Sequence, residues 1–330
     1  MPRPAESDRS NQSERDQAST SAGAVGSLSR ASGLVVVALL WAGACSDGEP
    51  APVPADPEHE RAALEWREER HERLDSDYGW LSLVGLHWLE EGETRFGGDP
   101  ENAIVINGEG IAPYAGVFER TGERVLLHAA LEGGLTIDGE PMAGPRELAS
   151  DASGSPDDVF LGRIRLRLLD RNGRLGIRVR DPEGPARTGF EGLEYFEYDE
   201  SLRVAADWVT FDEERFIAVP NVLGTVSREP AAGRAEFAIG GERVSLYGTA
   251  ASEGTVFFIF ADATNGETTY GAGRFLYAAP PEDGRIVIDF NRAYSPPCAF
   301  TPFATCPLPP KENKLAVRVE AGERAFGKHG

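Results

Sequence analysis

The sequence predicts a mainly β fold with one short N-terminal helix, a small β-sandwich and then a larger antiparallel β-barrel or sandwich. Short apolar runs rich in β-branched and aromatic residues, such as residues 255–260, recur along the chain and suit buried strands. Turn signals such as Asn172-Gly173 and Gly240-Gly241 separate these runs at short spacing. No long segment after the N-terminal region shows the helical period, so we expect the strands to pair in antiparallel sheets.

The N-terminal sequence predicts an export signal. Residues 1–29 are polar and rich in Ser, Ala and Gln, which predicts a disordered leader or a start site assigned too far upstream. Residues 30–44 combine Arg30 with an apolar run and small residues, the pattern of a signal peptide. The run is shorter than the roughly 20 residues of a membrane-spanning helix. Residues 42–45, Ala-Gly-Ala-Cys, resemble the lipobox of bacterial lipoproteins, so we expect lipid on Cys45; cleavage near Ala44 without lipid is the alternative.

Charge limits the partners of the protein. Residues 45–57 are rich in Pro, Asp and Glu, and they predict a lipidated tether that holds the folded part off a membrane. The chain has 54 Asp and Glu against 33 Lys and Arg, a formal net charge of -21. Nucleic acid and anionic lipid surfaces should repel such a chain. We therefore expect an exported protein, periplasmic or on the cell surface, that meets the membrane through lipid on Cys45.

The first folded domain is predicted over residues 58–148. Asp56-Pro57-Glu58 favours a helix start, because Asp caps free N–H groups, Pro is tolerated at the first position and Glu complements the helix dipole. The helix should end near Leu74. Strand patterns follow at residues 94–106, 116–128 and 135–142. Residues 149–158, rich in Ser, Gly, Asp and Pro, are the predicted linker.

The second domain, an antiparallel barrel or sandwich, is predicted over residues 159–326. Its first strands are expected at residues 159–169, 175–180, 202–208, 233–239 and 243–247. On the first two of these, arginines alternate with apolar residues, a period-2 pattern with one face inward and one face outward. We expect the arginines of this pattern to face water: Arg163, Arg165, Arg167, Arg178 and Arg180.

Polar groups are densest in residues 262–276 and 286–298. Asp262 to Gly266 is turn chemistry, residues 268–276 read as a strand, and residues 285–290 as the next strand. If these two strands pair as a hairpin, Arg274 meets Asp289, and such a pair needs further hydrogen bonds when buried. We predict a ligand-binding surface formed by Asp262, Thr264, Tyr270, Arg274, Asp289, Asn291 and Tyr294.

The sequence lacks the usual signatures of catalysis. There is no G-x-S-x-G elbow, no H-E-x-x-H and no Walker loop, and the chain has 5 His. We therefore predict no cofactor and no metal, and we assign no catalytic residue. The favoured function is the binding of a small polar ligand or a partner at the C-terminal domain. The alternative is a hydrolase-like enzyme that uses a carboxylate pair drawn from Asp262, Glu267 and Asp289.

The chain has 3 Cys, and lipid on Cys45 leaves Cys298 and Cys306 as a pair. In an oxidising compartment a Pro-rich loop with two Cys favours a disulfide. A metal site is the alternative, but zinc takes about four ligands and no His lies near the pair in sequence.

Two resemblances add to this reading. The motifs D-x-T-x-G-x-x-T-Y-G-x-G-R-F-L from Asp262, D-F-N-x-A-Y-x-P-P-C-A from Asp289 and C-P-x-P-P-x-E-N from Cys306 resemble the bacterial family called domain of unknown function 1684. Ser295 departs from that pattern, where Asn is expected. The family carries no activity to transfer, so this resemblance implies a fold class and no reaction.

The order of strands and turns in residues 94–142 resembles a forkhead-associated β-sandwich. That fold recognises phosphothreonine through a loop Ser supported by Arg. The matching loop, residues 111–116, has no Ser-Arg pair, so the resemblance implies the sandwich without the phosphopeptide site.

Overall fold

The computed structural model describes residues 56–131 and 134–327. The predicted leader, the signal peptide and the lipid attachment site at Cys45 lie outside these residues. Helix α1, Pro57–Asp75, begins as the sequence predicts, since Asp56 caps it by accepting a hydrogen bond from the Glu58 N–H at 2.9 Å. No helix within the described residues is long and apolar enough to cross a membrane.

Among the described residues, eleven strands form the N-terminal half. They are β1 Leu83–Trp88, β2 Gly92–Gly97, β3 Ile104–Val105, β4 Gly116–Thr121, β5 Arg124–Ala129, β6 Leu135–Ile137, β7 Glu140–Pro141, β8 Arg146–Glu147, β9 Val159–Leu161, β10 Ile164–Arg171 and β11 Arg174–Arg180. One sheet has the order β1-β11-β10-β9-β6-β7, and the other has the order β3-β2-β4-β5-β8. Apolar side chains from both sheets share one core, with Phe96 and Phe118 stacked 4.5 Å apart in it. The predicted small β-sandwich is therefore present.

The C-terminal boundary of this sandwich lies later in the sequence than predicted. Strands β9, β10 and β11 were expected to open the second domain, after a linker at residues 149–158. Instead β11 pairs with β1, β9 pairs with β6, and their inward residues complete the first core. The reason is packing: Ile164, Leu166 and Leu168 are buried against the β2–β5 sheet. The polar residues 149–158 are thus a connection within the sandwich.

The C-terminal half forms a third sheet, which is antiparallel. After the short helix α2, Pro185–Thr188, come β12 Arg203–Val209, β13 Phe216–Pro220, β14 Val226–Ile239, β15 Glu242–Ala250, β16 Val256–Phe260, β17 Arg274–Ala278 and β18 Arg285–Asp289. The order is β17-β16-β15-β14-β12-β18, and β13 pairs with β14. The two outer strands β17 and β18 contact each other without pairing, so the sheet curls around its own core. The mainly β class predicted from the sequence is confirmed.

The segment after β18 packs along this sheet without forming a strand. Asn313 is buried, and its amide donates to the carbonyls of Tyr247 and Ile259 at 2.8 and 2.9 Å. Its side-chain oxygen accepts from the Tyr247 N–H at 2.8 Å. This asparagine, the last residue of the C-P-x-P-P-x-E-N motif, therefore anchors the C-terminal segment to β15 and β16.

Candidate functional site

Asp262 lies at the end of β16 and is the acceptor of a buried network. Its Oδ1 accepts from the N–H and the hydroxyl of Thr264, at 2.9 and 2.6 Å, and from the Val319 N–H at 3.1 Å. Its Oδ2 accepts from Arg274 at 2.7 Å. Both side chains of this ion pair have zero exposure. The residues between them form a turn and loop, so the predicted strand 268–276 begins only at Arg274.

Arg274 does not meet Asp289, contrary to the predicted hairpin. Strand β18 pairs with β12, which places Asp289 opposite Arg203. Arg274 instead donates hydrogen bonds to the carbonyl of Val319, at 2.8 Å, and to the carbonyl of Ala321. The Asp262–Arg274 pair therefore holds the C-terminal segment against the sheet. Of the side-chain nitrogen and oxygen atoms of the pair, only Arg274 Nε makes no hydrogen bond within the described residues.

The other predicted site residues are placed elsewhere. Asp289 accepts from the Asn291 N–H and side-chain amide at 3.1 and 3.0 Å, and Asn291 also bridges the backbone of Asp199. The Tyr294 ring lies parallel to Tyr277, with the rings 6.4 Å apart. The contacts of Asp289 and Asn291 cap the turn that follows β18, and Tyr294 packs beside Tyr277 of β17. The seven residues do not form one concave surface.

The three carboxylates of the hydrolase alternative are also separated. Asp262 is buried with Arg274, whereas Glu267 is exposed and pairs with Arg318 at 2.6 Å. Asp289 is bound by Asn291. Each carboxylate has a different partner, so the geometry brings no two of them together as an acid and base.

The two C-terminal cysteines are free thiols, which corrects the predicted disulfide. They are nevertheless adjacent: the Cys298 N–H donates to the Cys306 sulfur at 3.1 Å. Cys306 is buried and Cys298 is partly exposed. No group of three or more His, Cys, Asp or Glu side chains suited to a metal ion occurs within residues 56–131 and 134–327.

A face of arginines covers the outer side of β10 and β11. The inward residues of these strands enter the sandwich core, so the arginines project from the opposite side. The register sets Arg165 opposite Arg180 and Arg167 opposite Arg178. Like charges directly opposite each other destabilise a sheet unless something compensates them.

Carboxylates form ion pairs with only some of the arginines on this face. Asp158 binds both Arg165 and Arg167, and its two bonds to Arg167 are 2.8 Å long. Asp151 binds Arg171, with a 2.8 Å contact.

Arg178 and Arg180 remain without a carboxylate among the described residues. They are 5% and 7% exposed, and the buried Arg178 Nε, Arg178 Nη2 and Arg180 Nε make no hydrogen bond within that part of the chain. Burial and neighbouring arginines lower the pKa of Arg178 to about 10 and that of Arg180 to about 9. The lowered values have the sign expected for buried positive charges, and Asp151 at Arg178 and Asp158 at Arg180 offset only part of the lowering.

Trp80 covers these two guanidinium groups. The ring centre lies 5.1 Å from the guanidinium carbon of Arg178 and 5.5 Å from that of Arg180. Trp80 also packs against the apolar cluster that contains Cys306 and Cys298. We call the surface formed by Trp80, Arg178 and Arg180, together with the two cysteines, the arginine site.

The C-terminal loop closes the arginine site from the other side. The Thr301 hydroxyl donates to the Leu83 carbonyl at 3.3 Å, and Arg171 donates to the Thr305 hydroxyl at 3.1 Å. Residues 301–306 thus lie against the arginine face, which was expected to face water. Period-2 alternation identifies the face but carries no information about what covers it. A usable signal was nevertheless present, because the two-residue turn at Asn172-Gly173 sets the arginines opposite one another.

A second buried polar cluster lies under α1. Glu323 has zero exposure, and its Oε2 accepts from Arg70 at 3.2 Å. Burial raises the pKa of Glu323. Its Oε1 and the hydroxyl of Tyr195 are buried and make no hydrogen bond within the described part of the chain. Arg70 also donates to the Ser295 carbonyl at 2.9 Å, so this cluster joins α1 to the C-terminal segment.

Comparison with known proteins identifies the C-terminal half. The model of a family described as "Protein of unknown function (DUF1684)" matches residues 188–324. An uncharacterized protein of Haloarcula marismortui, solved by NMR, is 35% identical; the match covers 43% of this chain and 81% of that chain, with a TM-score of 0.37. No curated protein matches this chain.

Forkhead-associated domains are similar to the N-terminal part of the chain. The FhaA domain, solved in complex with the intracellular domain of Rv3910, is 19% identical; the match covers 29% of this chain and 97% of that domain, with a TM-score of 0.21. A domain studied for phosphothreonine-dependent interactions gives the same identity and TM-score, with 92% of that chain covered. At these scores the likeness carries no argument about binding. The chain belongs to the DUF1684 family.

Proposed function

We propose that this protein is a lipid-anchored envelope protein that binds a small anionic ligand at the arginine site. The observation that carries the proposal is the pair Arg178 and Arg180. Both are more than nine-tenths buried, and Arg178 Nε, Arg178 Nη2 and Arg180 Nε make no hydrogen bond within the described residues. Burial of an uncompensated charge costs several kcal/mol. A ligand anion bound between the two guanidinium groups would offset that cost.

The chemistry of the site favours a carboxylate or a phosphate. Arginine presents a planar fork of donors that matches both groups in a bidentate manner. Two forks side by side on one strand, with Trp80 over them, suit a small ligand that carries such a group and an apolar remainder. The site lies between the sandwich and residues 301–306, so we place binding at this junction rather than in the C-terminal half alone.

Ligand-dependent stability tests the proposal. The midpoint of urea unfolding of the full chain would be measured in rising inorganic phosphate and, separately, in rising succinate, with sodium chloride holding ionic strength constant. A ligand at 100 times its dissociation constant stabilises the folded state by about 2.7 kcal/mol. We expect one of the two anions to raise the midpoint, and the one that does so identifies the chemical class. If neither anion raises the midpoint at constant ionic strength, the proposal fails.

The Arg178→Met variant distinguishes a ligand-binding role of Arg178 from a purely structural role. The substitution removes an uncompensated buried charge, so in anion-free buffer the variant should be as stable as the wild type or more stable. It should also lose the response to the anion. Arg318→Met, at an exposed pair, is the matched control and should keep the response. An unchanged response in Arg178→Met would contradict the assignment.

The lipid anchor needs a separate test. Cys45→Ser should abolish labelling by a radioactive or clickable fatty acid and release the protein from the membrane fraction. Labelling that persists in this variant would contradict the anchor and leave the arginine site unaffected.

A further inference from the structure

A cavity of about 220 Å³ lies in the β-sandwich, beside the start of β1 and the end of β11. Both sheets contribute to its wall, because β1, β10 and β11 belong to one sheet and β3 to the other. Its apolar wall consists of Val84, Val105, Ile106, Ile164, Val179 and Pro185. Val179 stands between Arg178 and Arg180 on β11 and is an inward residue of the sandwich core. The cavity and the arginine face therefore lie on opposite sides of the same strand.

His87 supplies an imidazole to this cavity. The pairing of β1 with β11 sets His87 opposite Ile177 and Gly85 opposite Val179, so both β1 residues are on the core side of the sheet. Burial lowers the pKa of His87, and no hydrogen bond or charged neighbour within the described part of the chain contributes to that shift. The ring is therefore uncharged at neutral pH and places no positive charge in the cavity.

Gly85 leaves the space that the imidazole occupies. A Cβ at this position would lie 2.9 Å from His87 Nε2 and 3.4 Å from Val179 Cβ, and the first of these distances is shorter than packed atoms allow. Gly85 is not one of the glycines with a positive φ, so the backbone itself accepts alanine. Gly85→Ala therefore adds a methyl group to the wall of the cavity and displaces the ring, which provides a variant that narrows the site.

Carboxylates outnumber the positive charge beside the cavity, and two of them, Asp181 and Glu183, line it. Arg163 donates to Asp181 from Nε and Nη2 at 2.7 and 3.1 Å, whereas its closest contact with Glu183 is 3.3 Å long. The side chain of Glu183 is 68% exposed, and Glu109 adds a further negative charge near Arg163. One guanidinium thus faces three carboxylates, so this end of the cavity repels an anion and attracts a cation.

We propose that this cavity binds a small primary amine, with the ammonium group at Asp181 and Glu183 and the apolar remainder between the two sheets. An apolar cavity of about 150 Å³ accepts benzene, so the larger cavity accommodates a benzene-sized body that carries an aminomethyl group. The ammonium group donates hydrogen bonds to carboxylate oxygens, and the apolar wall removes the ring from water. The inference goes beyond the arginine site, because it concerns another cavity and a ligand of opposite charge.

Three compounds that share a ring and differ in charge test the inference: benzylamine, benzyl alcohol and benzoate. Each would be titrated into the full chain at neutral pH and constant ionic strength, and the imidazole signals would be followed by NMR. The chain has 5 His, and the signal that is absent from His87→Gln identifies the His87 ring. We expect benzylamine to shift this signal saturably, with an affinity about 10-fold higher than that of benzyl alcohol, because hydrogen bonds between charged groups are stronger. Benzoate should leave the His87 signal in place, even if it binds at the arginine site.

Variants show which groups produce the preference for the amine. Glu183→Gln should remove most of it, so that benzylamine and benzyl alcohol bind with similar affinity. Glu267→Gln is the matched control and should keep the preference, because Glu267 is 65% exposed and pairs with an arginine but does not line the cavity. Gly85→Ala should abolish the shift with both compounds. Unfolding midpoints confirm that each variant is folded, and Glu183→Gln, at an exposed position, keeps the test valid if Gly85→Ala does not fold.

The outcomes also separate this inference from the anion-binding proposal. Without a saturable shift of the His87 signal in benzylamine, the cavity is not the binding site. Equal affinities of the wild type for benzylamine and benzyl alcohol would overturn the amine as the ligand class, and a preference that Glu183→Gln leaves unchanged would overturn the placement of the ammonium group. The response of the unfolding midpoint to phosphate and succinate tests the arginine site independently of all three results.

Discussion

Arg274→Met is the sharpest test of how the C-terminal segment is held. Arg274 is fully buried and connects Asp262, at 2.7 Å, to the carbonyls of Val319 and Ala321. Methionine fills most of the same volume but donates no hydrogen bond. The substitution therefore removes the charge without opening a large cavity and leaves the Asp262 carboxylate buried without its counter-charge.

The expected loss follows from these contacts. Hydrogen bonds that involve a charged group contribute about 1.5–3 kcal/mol each, and Arg274 makes one to a carboxylate and two to carbonyls. Removal of one partner of a buried ion pair costs about 3–5 kcal/mol. We expect the free energy of unfolding to fall by about 3–5 kcal/mol, which lowers the melting temperature by roughly 2–4 °C for each kcal/mol.

Urea unfolding followed by circular dichroism measures this loss. Arg318→Met makes the same change at the exposed pair with Glu267 and should cost less than about 1 kcal/mol. Adding Asp262→Asn to Arg274→Met should recover part of the stability, because no buried charge then lacks a partner. If Arg274→Met costs no more than Arg318→Met, the buried Asp262–Arg274 pair does not hold the C-terminal segment in place.

Two further predictions concern single positions. Burial raises the pKa of Glu323 above 4.5, so the folded protein keeps a proton that the unfolded chain loses, and stability should fall as pH rises from 4.5 through the raised pKa. Glu323→Gln should remove that slope in urea unfolding at a series of pH values, and equal slopes would contradict the raised pKa. A Cβ at Gly273, where φ is +97°, would lie 2.4 Å from Pro309 Cγ and 2.6 Å from the Phe260 carbonyl oxygen, so Gly273→Ala should lower the melting temperature clearly. Gly271→Ala, whose Cβ would come no closer than 3.7 Å to another atom, should leave it nearly unchanged; similar effects of the two substitutions would be evidence against the close approach.

Local chemistry was sufficient to predict individual elements. Asn172 and Gly173 have φ values of 56° and 82°, as a two-residue hairpin turn requires, and the start of α1 at Asp56 follows from side-chain capping. These features depend on neighbours within a few residues. The boundary between the halves could not be predicted in this way, because it depends on which distant strand accepts β9 and β11.

The predicted contact between Arg274 and Asp289 was wrong for the same reason, because it depended on which distant strands pair. Residues 262–276 and 286–298 are rich in polar groups, but β17 and β18, consecutive in sequence, do not pair. Arg274 binds Asp262, twelve residues upstream, and Asp289 lies opposite Arg203. The density of polar residues marks a buried network, and the contacts of that network fix the C-terminal segment to the sheet.

Arg274 and Arg178 show why burial alone does not identify a binding residue. Both are buried arginines on strands, and both have a pKa lowered first by burial. Arg274 has an acid and two carbonyls within hydrogen-bond distance, so its charge is compensated inside the chain. Arg178 has Trp80 over it, and its Nε and Nη2 make no hydrogen bond within the described residues. The difference lies in the covering segment, residues 301–306, which contains the Cys306 sulfur and the hydroxyls of Thr301 and Thr305 but no carboxylate. Asp158 binds Arg165 and Arg167 of this face, whereas Arg178 and Arg180 form no such ion pair within the described residues, and we propose that a ligand anion takes that place.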